Sequence, residues 1–165
     1  MYKSIDFISS IFKSTNNINF KNWETEFFNE EYESCTFQVN KQTFRSRIAK
    51  KTPNKQGYFV VFWTKDNNNK NRPFTYNESC DKLIITVMDE SHKGLFIFPK
   101  DVLAKQNIIA NGVKKGKMAI RIYPTWEHKL NQTAIKTQSW QSNYFIDLTD
   151  NIDKTSLYKL LKWKI

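Results

Sequence analysis

Short apolar runs in the middle of the chain limit its possible folds more than any other feature. GYFVVFW (residues 57–63) is a continuous run of β-branched and aromatic residues, which favours a central strand covered on both faces. DKLIITVMDE and KGLFIFPK (residues 81–90 and 93–100) predict two further strands joined by a turn near His92–Gly94. Because helical patterns occur before, between and after the strands, we expect an α/β or α+β fold with a mixed sheet flanked by helices.

The flanking segments carry their own local signals. MYKSIDFISSIFKS places Ile5, Ile8, Ile11 and Phe12 on one face of an amphipathic helix, and FKNWETEFFNEEYES predicts a second helix with an aromatic stripe. CTFQVN and QTFRSRIAK alternate around a tight turn at Asn40–Lys41, which predicts a hairpin. GLFIFPK, a helix at KDVLAKQNII and MAIRIYP suggest a crossover unit, with SNYFIDLTD as the last strand and TSLYKLLKWKI as a closing helix.

Length and composition predict one domain spanning residues 1–165. With 39% apolar and 15% aromatic residues, the chain has enough material for a core without disulfides or metals. It has no apolar run long enough to cross a bilayer, and its start lacks a small-residue cleavage site. Cys35 and Cys80 form no CxxC pair, which favours ordinary thiols in a reducing compartment. We therefore predict a cytoplasmic protein.

The net charge of +10 is unevenly distributed along the sequence. Residues 41–65 hold seven bases and no acid, residues 100–136 hold eight bases and two acids, and residues 1–40 hold three bases and six acids. A compositional bias of the source genome towards Lys does not explain the absence of acids from 25 consecutive residues. Basic blocks separated by neutral or acidic ones are typical of a face that meets phosphate, so we predict a polyanionic partner.

Both basic blocks contain candidate contacts to nucleic acid. Strand alternation directs Arg45 and Arg47 to the same side, about 7 Å apart, close to successive phosphates. Trp63 beside Lys65 suits an unstacked base next to a phosphate, although Trp63 also suits core packing. Arg121 faces opposite to its two isoleucine neighbours and either lines a cleft or is solvated. The predicted contact residues of the two blocks are Arg45, Arg47, Lys50, Lys51, Lys55, Trp63, Lys65, Lys114, Lys115, Lys117 and Arg121.

KTQSWQ (residues 136–141) adds a third group of candidates. Lys136, Gln138 and Trp140 are spaced by two, so in an extended segment they share a face. A cation, an amide and an aromatic ring are able to bind a phosphate, read a base edge and stack on a base. The alternative is an edge strand with ordinary polar residues on its surface.

Four segments of the sequence resemble segments of one known family, and they occur in the same order along the chain. RIAKKTPNKQGYFVVFW (residues 47–63), GLFIFPKDVLAKQNII (94–109), GKMAIRIYPTW (116–126) and QTAIKTQSWQSNYF (132–145) together resemble the MepB family, which is named for a multidrug-efflux gene cluster. The resemblance covers roughly residues 30–148. It implies a restriction-endonuclease-like core, the scaffold of many DNA-cutting enzymes, but a fold does not carry function with it.

The resemblance raises the question of nuclease chemistry. Enzymes on that scaffold use carboxylates to hold Mg²⁺ and a Lys to position or activate water. Asp81 matches the first carboxylate and Lys100 matches the Lys, but Phe98 stands where the second metal ligand belongs. Glu90 is either a metal ligand at the end of a neighbouring strand or an ordinary solvated acid in a turn. Asp81, Glu90 and Lys100 are therefore weak catalytic candidates, and no metal site is predicted.

Taken together, these features predict a nucleic-acid-binding protein on a nuclease-like scaffold without intact metal-dependent catalysis, with DNA favoured over RNA. One alternative is a nuclease with a non-standard carboxylate site, in which case Mg²⁺ or Mn²⁺ is its cofactor. Another is an interaction module for an acidic protein. We expect no other cofactor, because glycine-rich phosphate loops are lacking, and no membrane partner, because a basic amphipathic helix is lacking. The sequence leaves the oligomeric state and any link to drug efflux open.

Overall fold

The computed structural model describes residues 2–15 and 20–161 of the chain. Within these ranges, its strands in chain order are β1 (Phe20–Thr25), β2 (Cys35–Val39), β3 (Gln42–Ile48), β4 (Lys50–Lys51), β5 (Tyr58–Val61), β6 (Thr64–Lys65), β7 (Asn71–Arg72), β8 (Lys82–Met88), β9 (Lys93–Pro99), β10 (Ala119–Ile122) and β11 (Phe145–Asp147). Its α-helices are α1 (Lys3–Lys13), α2 (Lys100–Lys105), α3 (Gln132–Gln141) and α4 (Lys154–Leu161), and 3-10 turns cover Glu30–Tyr32 and Ser142–Tyr144.

The main sheet has six strands in the order β1-β2-β3-β8-β9-β11. β3 and β8 pair in parallel, with Arg45 opposite Leu83, while the other neighbouring strands pair antiparallel. The predicted mixed sheet flanked by helices is therefore confirmed. The two predicted hairpins are also present: β2 and β3 meet at Asn40, which adopts the left-handed conformation that such a turn requires, and β8 runs directly into β9.

Two apolar clusters cover the two faces of the main sheet. Along β8, Leu83, Ile85 and Val87 belong to one cluster, while Ile84 belongs to the other. The first cluster includes residues of β5, β10 and α2, and the second includes the apolar stripes of α1 and α4. Because strand side chains alternate between faces, a continuous apolar run is what a strand needs when both of its faces are covered.

A smaller sheet lies on one of these faces, with the order β10-β5-β4. β10 pairs antiparallel with β5, so that Arg121 lies opposite Phe59. The predicted crossover from β9 through α2 to β10 is therefore wrong, because β9 and β10 belong to different sheets. β5 is the central strand of the small sheet, and β6 and β7 form a separate short hairpin.

The predicted second helix is also wrong. Its sequence forms β1, which pairs antiparallel with β2, followed by one 3-10 turn. Asn22, Asn29 and Glu33 all have positive φ angles, between 52° and 67°, which end any regular helix. The spacing of its aromatic residues fits a helix, but pairing with the edge of the sheet overrides that local preference.

The prediction of an extended segment at KTQSWQ is wrong as well, because these residues form the end of α3. Asn131 is the N-cap of this helix, and its side chain accepts a hydrogen bond from the Ala134 backbone N–H at 2.9 Å. Gln138 therefore faces away from Lys136 and Trp140, since residues spaced by two diverge around a helix, whereas residues spaced by four lie on one side of it. None of the helices in the described ranges has the length and apolar character that crossing a membrane requires.

Candidate nucleic-acid interface

A groove runs between α3 and the small sheet. It consists of two adjoining depressions with volumes of about 380 Å³ and 370 Å³, and both are lined by Arg121 and Tyr123. We call this feature the basic groove. The first depression also contains Lys55, Lys129 and the first turn of α3, whereas the second contains Lys117, Phe59 and Trp140.

The period of two in β10 supplies the floor of the basic groove. Ile120 and Ile122 are buried in the core beneath the small sheet. Arg121 and Tyr123 therefore point to the opposite side, where both line the groove. Phe59 joins them because it is the register partner of Arg121 on β5. The sequence prediction that Arg121 faces away from its isoleucine neighbours agrees with this arrangement.

Helix α3 supplies the wall of the groove, and Gln141 fixes the helix to the strand. Its side-chain Oε1 accepts a hydrogen bond from the Tyr123 backbone N–H at 2.9 Å, and its Nε2 donates to the Arg121 backbone oxygen at 3.0 Å. Both backbone groups lie where a further strand of the sheet would otherwise pair. Ala134, Thr137 and Gln141, spaced three and four apart, turn one helix face towards the groove.

The charge of the basic groove has one sign. Its cationic residues are Lys55, Lys117, Arg121 and Lys129. No Asp or Glu is among the described residues that line either depression. Arg121 is held in place, since its Nη2 donates to Thr52 Oγ1 at 2.8 Å and to the Gln56 backbone oxygen at 2.7 Å. A fixed guanidinium loses little conformational entropy when it binds a phosphate.

The acid-free stretch of sequence is not acid-free in space. Arg45 and Arg47 do extend from the same face of β3, but both bind Glu26, at 3.0 Å and 2.7 Å. Arg47 is only 1% exposed, and it also donates to Asn29 Oδ1 at 2.9 Å and to the Val61 backbone oxygen at 3.3 Å. Burial lowers the pKa of Arg47, an effect that the nearby Glu26 opposes. The donors of Arg47 are therefore used within the fold.

A second cavity, of about 340 Å³, lies beside this ion pair. Phe28 and Trp63 stack within it, with their ring centroids 5.6 Å apart and an interplanar angle of 24°. The Lys65 Nζ lies 5.5 Å from the centroid of Trp63. Trp63 is half-buried and faces a cavity. Its position is therefore intermediate between the two predicted roles, stacking on a base and packing in the core.

The remaining predicted contact residues do not converge on either site. Lys50 lies 3.8 Å from Glu31, and Lys114 donates to the last carbonyl groups of α2. Gln138 donates to the backbone oxygens of Pro124 and Glu127, so it braces the turn after β10. Lys51, Lys115 and Lys136 are exposed and line none of these cavities.

Two of the three catalytic candidates, Asp81 and Glu90, lie at opposite ends of β8. Asp81 precedes this strand and accepts hydrogen bonds from the backbone and hydroxyl of Thr43, whereas Glu90 follows its other end, roughly 20 Å away at the rise of a strand. Lys100 is near Asp81, since its backbone N–H donates to the Asp81 carbonyl oxygen at 3.1 Å. Phe98 is fully buried in the core.

Asp81 and Glu90 are too far apart to hold one metal ion together. Across the described ranges, His, Cys, Asp and Glu form no group of three or more that is close enough to hold a metal ion. The arrangement around Asp81 and Phe98 therefore does not match the Mg²⁺ site that the scaffold implies.

Several residues of these sites were not anticipated. Tyr123 was detectable, because it is two positions after Arg121 and extends the same strand face. No sequence pattern points to Lys129, because it lies in an irregular turn. Its backbone is left-handed, with a φ of 57°, and its side chain lines the groove. The sequence predicts a helix over Phe27 and Phe28, whereas the structure has no helix there. Their place beside Trp63 depends on contacts between residues more than thirty positions apart.

Comparison with known proteins agrees with the family resemblance. A family model described as MepB-like matches residues 26–147. A solved structure described as the crystal structure of MepB is 43% identical, with a TM-score of 0.80, and the match covers 92% of this chain and 100% of that chain. A bacterial homing endonuclease, I-Ssp6803I, is matched at 15% identity and a TM-score of 0.44, covering 81% of this chain and 82% of that chain. No curated protein matches the chain.

Proposed function

The chain belongs to the MepB-like family, and we propose that this member binds nucleic acid along the basic groove without cutting it. The observation that carries the proposal is the composition of the groove, whose four cations are accompanied by no carboxylate among the described lining residues. Phosphate contacts of this kind supply most of the affinity of sequence-independent binding.

The shape of the groove suits an extended polyanion better than a small ligand. Its two depressions adjoin at Arg121 and Tyr123, so bound charges are able to follow one another along it. Lys117 and Lys129 belong to different depressions, and Tyr123 and Trp140 add rings beside the cations. Rings interleaved with cations are typical of proteins that contact both bases and phosphates.

Binding without cleavage follows from the positions of the carboxylates. Asp81 and Glu90 lie at opposite ends of β8, and neither lines the basic groove. A two-carboxylate hydrolytic site needs both groups near one scissile phosphate. We keep the cytoplasm as the proposed location, the compartment that Cys35 and Cys80 predict as unpaired thiols.

Fluorescence anisotropy with labelled single-stranded and duplex DNA and RNA, titrated with salt, tests the proposal. If all four cations contact phosphate, log K should fall with log[salt] with a slope of about −2.8 for single strands and about −3.6 for duplex DNA. Lys117→Gln should reduce that slope by about one unit. Lys136→Gln is the matched control, because Lys136 is exposed on α3 but lies outside the groove.

The absence of binding to every nucleic acid at low salt would overturn the proposal. Equal effects of the two lysine substitutions would move the site away from the groove. A partner that remains bound after nuclease treatment would favour an acidic protein instead. Plasmid cleavage that depends on added Mg²⁺ or Mn²⁺ and is lost in Asp81→Ala would show that the protein also cuts.

A further inference from the structure

We propose that the cavity beside Trp63 holds one unstacked base of a bound single strand, with guanine preferred. This inference rests on the proposed nucleic-acid binding, and it adds a second site that recognises a base. The cavity volume of about 340 Å³ falls within the range of sites for small planar ligands.

Three aromatic rings make the cavity a stacking surface. Phe28 is stacked on Trp63, and Phe27 lies next to Phe28 with the ring centroids 6.3 Å apart. Phe27 lines the cavity and is 89% exposed, so burial of its ring against another apolar surface is favourable. A base that covers this ring removes the exposed apolar surface, and aromatic rings stack on every base.

Arg45 gives the cavity hydrogen-bond donors of defined orientation. Its Nε is bound to Glu26, and its guanidinium carbon lies 3.9 Å from the centroid of the Phe74 ring. Within the described chain, only its Nε has a protein acceptor, and its two Nη groups have none. Arg45 is also one of the residues that line the cavity. A guanidinium that is anchored at one edge and stacked on a ring presents its other donors as a rigid fork.

The charges around the cavity allow an anionic strand to approach. Glu26 is neutralised by its two arginine partners, and Glu78 is paired with Arg72 at 2.5 Å. The ammonium group of Lys65 then remains as a cation beside the stacked rings, where it meets the phosphate next to an inserted base.

The donor set explains both preferences in the proposal. Guanine presents two acceptors, O6 and N7, on one edge and is matched by an arginine fork, whereas adenine presents a donor beside its N7 acceptor. Insertion requires a base that has left its stack, which a single strand supplies at a lower cost than a duplex. The cavity should therefore favour single strands and distinguish guanine from adenine.

The test compares three labelled probes at one salt concentration: an oligo(dT) strand with a central dG, the same strand with a central dA, and a duplex. For the unmodified protein we expect about tenfold tighter binding of the dG strand than of the dA strand. Phe27→Ala should weaken binding of both strands about fivefold or more and leave duplex binding unchanged. Arg45→Lys should remove the difference between dG and dA.

Lys117→Gln separates this inference from the proposed function, because it should weaken all three probes and leave the ratio of dG to dA unchanged. Equal affinities for dG and dA, or a Phe27→Ala variant that binds like the unmodified protein, would overturn the base site while groove binding stands. Phe27 is exposed, so its substitution does not depend on the survival of a buried network. If no probe binds, both the proposed function and this inference fail.

Discussion

Replacement of Glu26 by Gln should be among the most destabilising changes in the chain, although Glu26 looks like an ordinary surface acid in the sequence. The carboxylate binds Arg47 Nη1 at 2.7 Å and Arg45 Nε at 3.0 Å, and its side chain is 19% exposed. Glutamine keeps the shape but leaves the almost fully buried Arg47 without a counter-charge. Removal of one partner of a buried ion pair costs about 3 to 5 kcal/mol, and the partial exposure of Glu26 favours the lower figure.

Equilibrium unfolding in urea measures this effect. With a slope of about 2 kcal/mol per molar urea, a loss of about 3 kcal/mol moves the midpoint down by about 1.5 M. Glu31→Gln is the matched control, because the Glu31 carboxylate is 85% exposed and lies 3.8 Å from Lys50, so its loss should cost less than about 0.5 kcal/mol. Similar midpoints for the two variants would refute the conclusion that Glu26 is the counter-charge of a buried arginine.

Three further changes test individual contacts through the melting temperature. The hydrogen bond from Arg72 lowers the pKa of Glu78 to about 2. The ionised Glu78 therefore stabilises the fold above its unfolded pKa of about 4.3, and this stabilisation is lost as the pH falls towards 2. Glu78→Gln should lower Tm by about 3 °C at pH 7, and the difference in Tm should shrink below about pH 4. Asn131→Ala removes the N-cap of α3 and should cost about 1 kcal/mol, whereas Asn131→Asp should cost little. Gly94→Ala places a methyl group about 2.5 Å from the Phe145 ring and should cost about 2 kcal/mol or more, and a variant as stable as the unmodified protein would contradict that contact.

The parts of the fold that the sequence predicted are those set by neighbouring residues. The α1 stripe, the turn at Asn40 and the β8–β9 hairpin each depend on a period or a turn within about fifteen residues. The mixed sheet flanked by helices followed from these elements and is confirmed. The family resemblance is confirmed as well. The extent of the domain, the lack of a cofactor and the choice of partner stay predictions.

The errors arose where distant contacts decide the outcome. The aromatic spacing around Trp23 fits a helix, and only pairing with β2 makes the segment a strand. Arg47 looked like a free cation because its partner Glu26 lies 21 residues earlier in the sequence. The spacing of Lys136, Gln138 and Trp140 fits a strand, whereas Asn131 is the N-cap that starts helix α3.

Four of the predicted contact residues lie together in the structure. Lys55, Lys117, Arg121 and Trp140 line the basic groove, and their contact with nucleic acid stays a prediction. The pairing of β5 with β10 across about sixty residues brings them together, and no local pattern encodes that pairing.

The route of the chain around the groove determines where an insertion leaves the main sheet intact. The chain leaves the main sheet after Pro99 and returns at Phe145, which pairs with Phe96 only three residues before that exit. Residues 100–144 therefore form an excursion with neighbouring ends, and it carries three of the four groove cations. An insertion at the turn around Val113, which is 98% exposed, changes neither the strand register nor the ends of the excursion. Doubling the length of a loop costs only about 0.6 kcal/mol, so an insertion at this turn should leave the sheet intact.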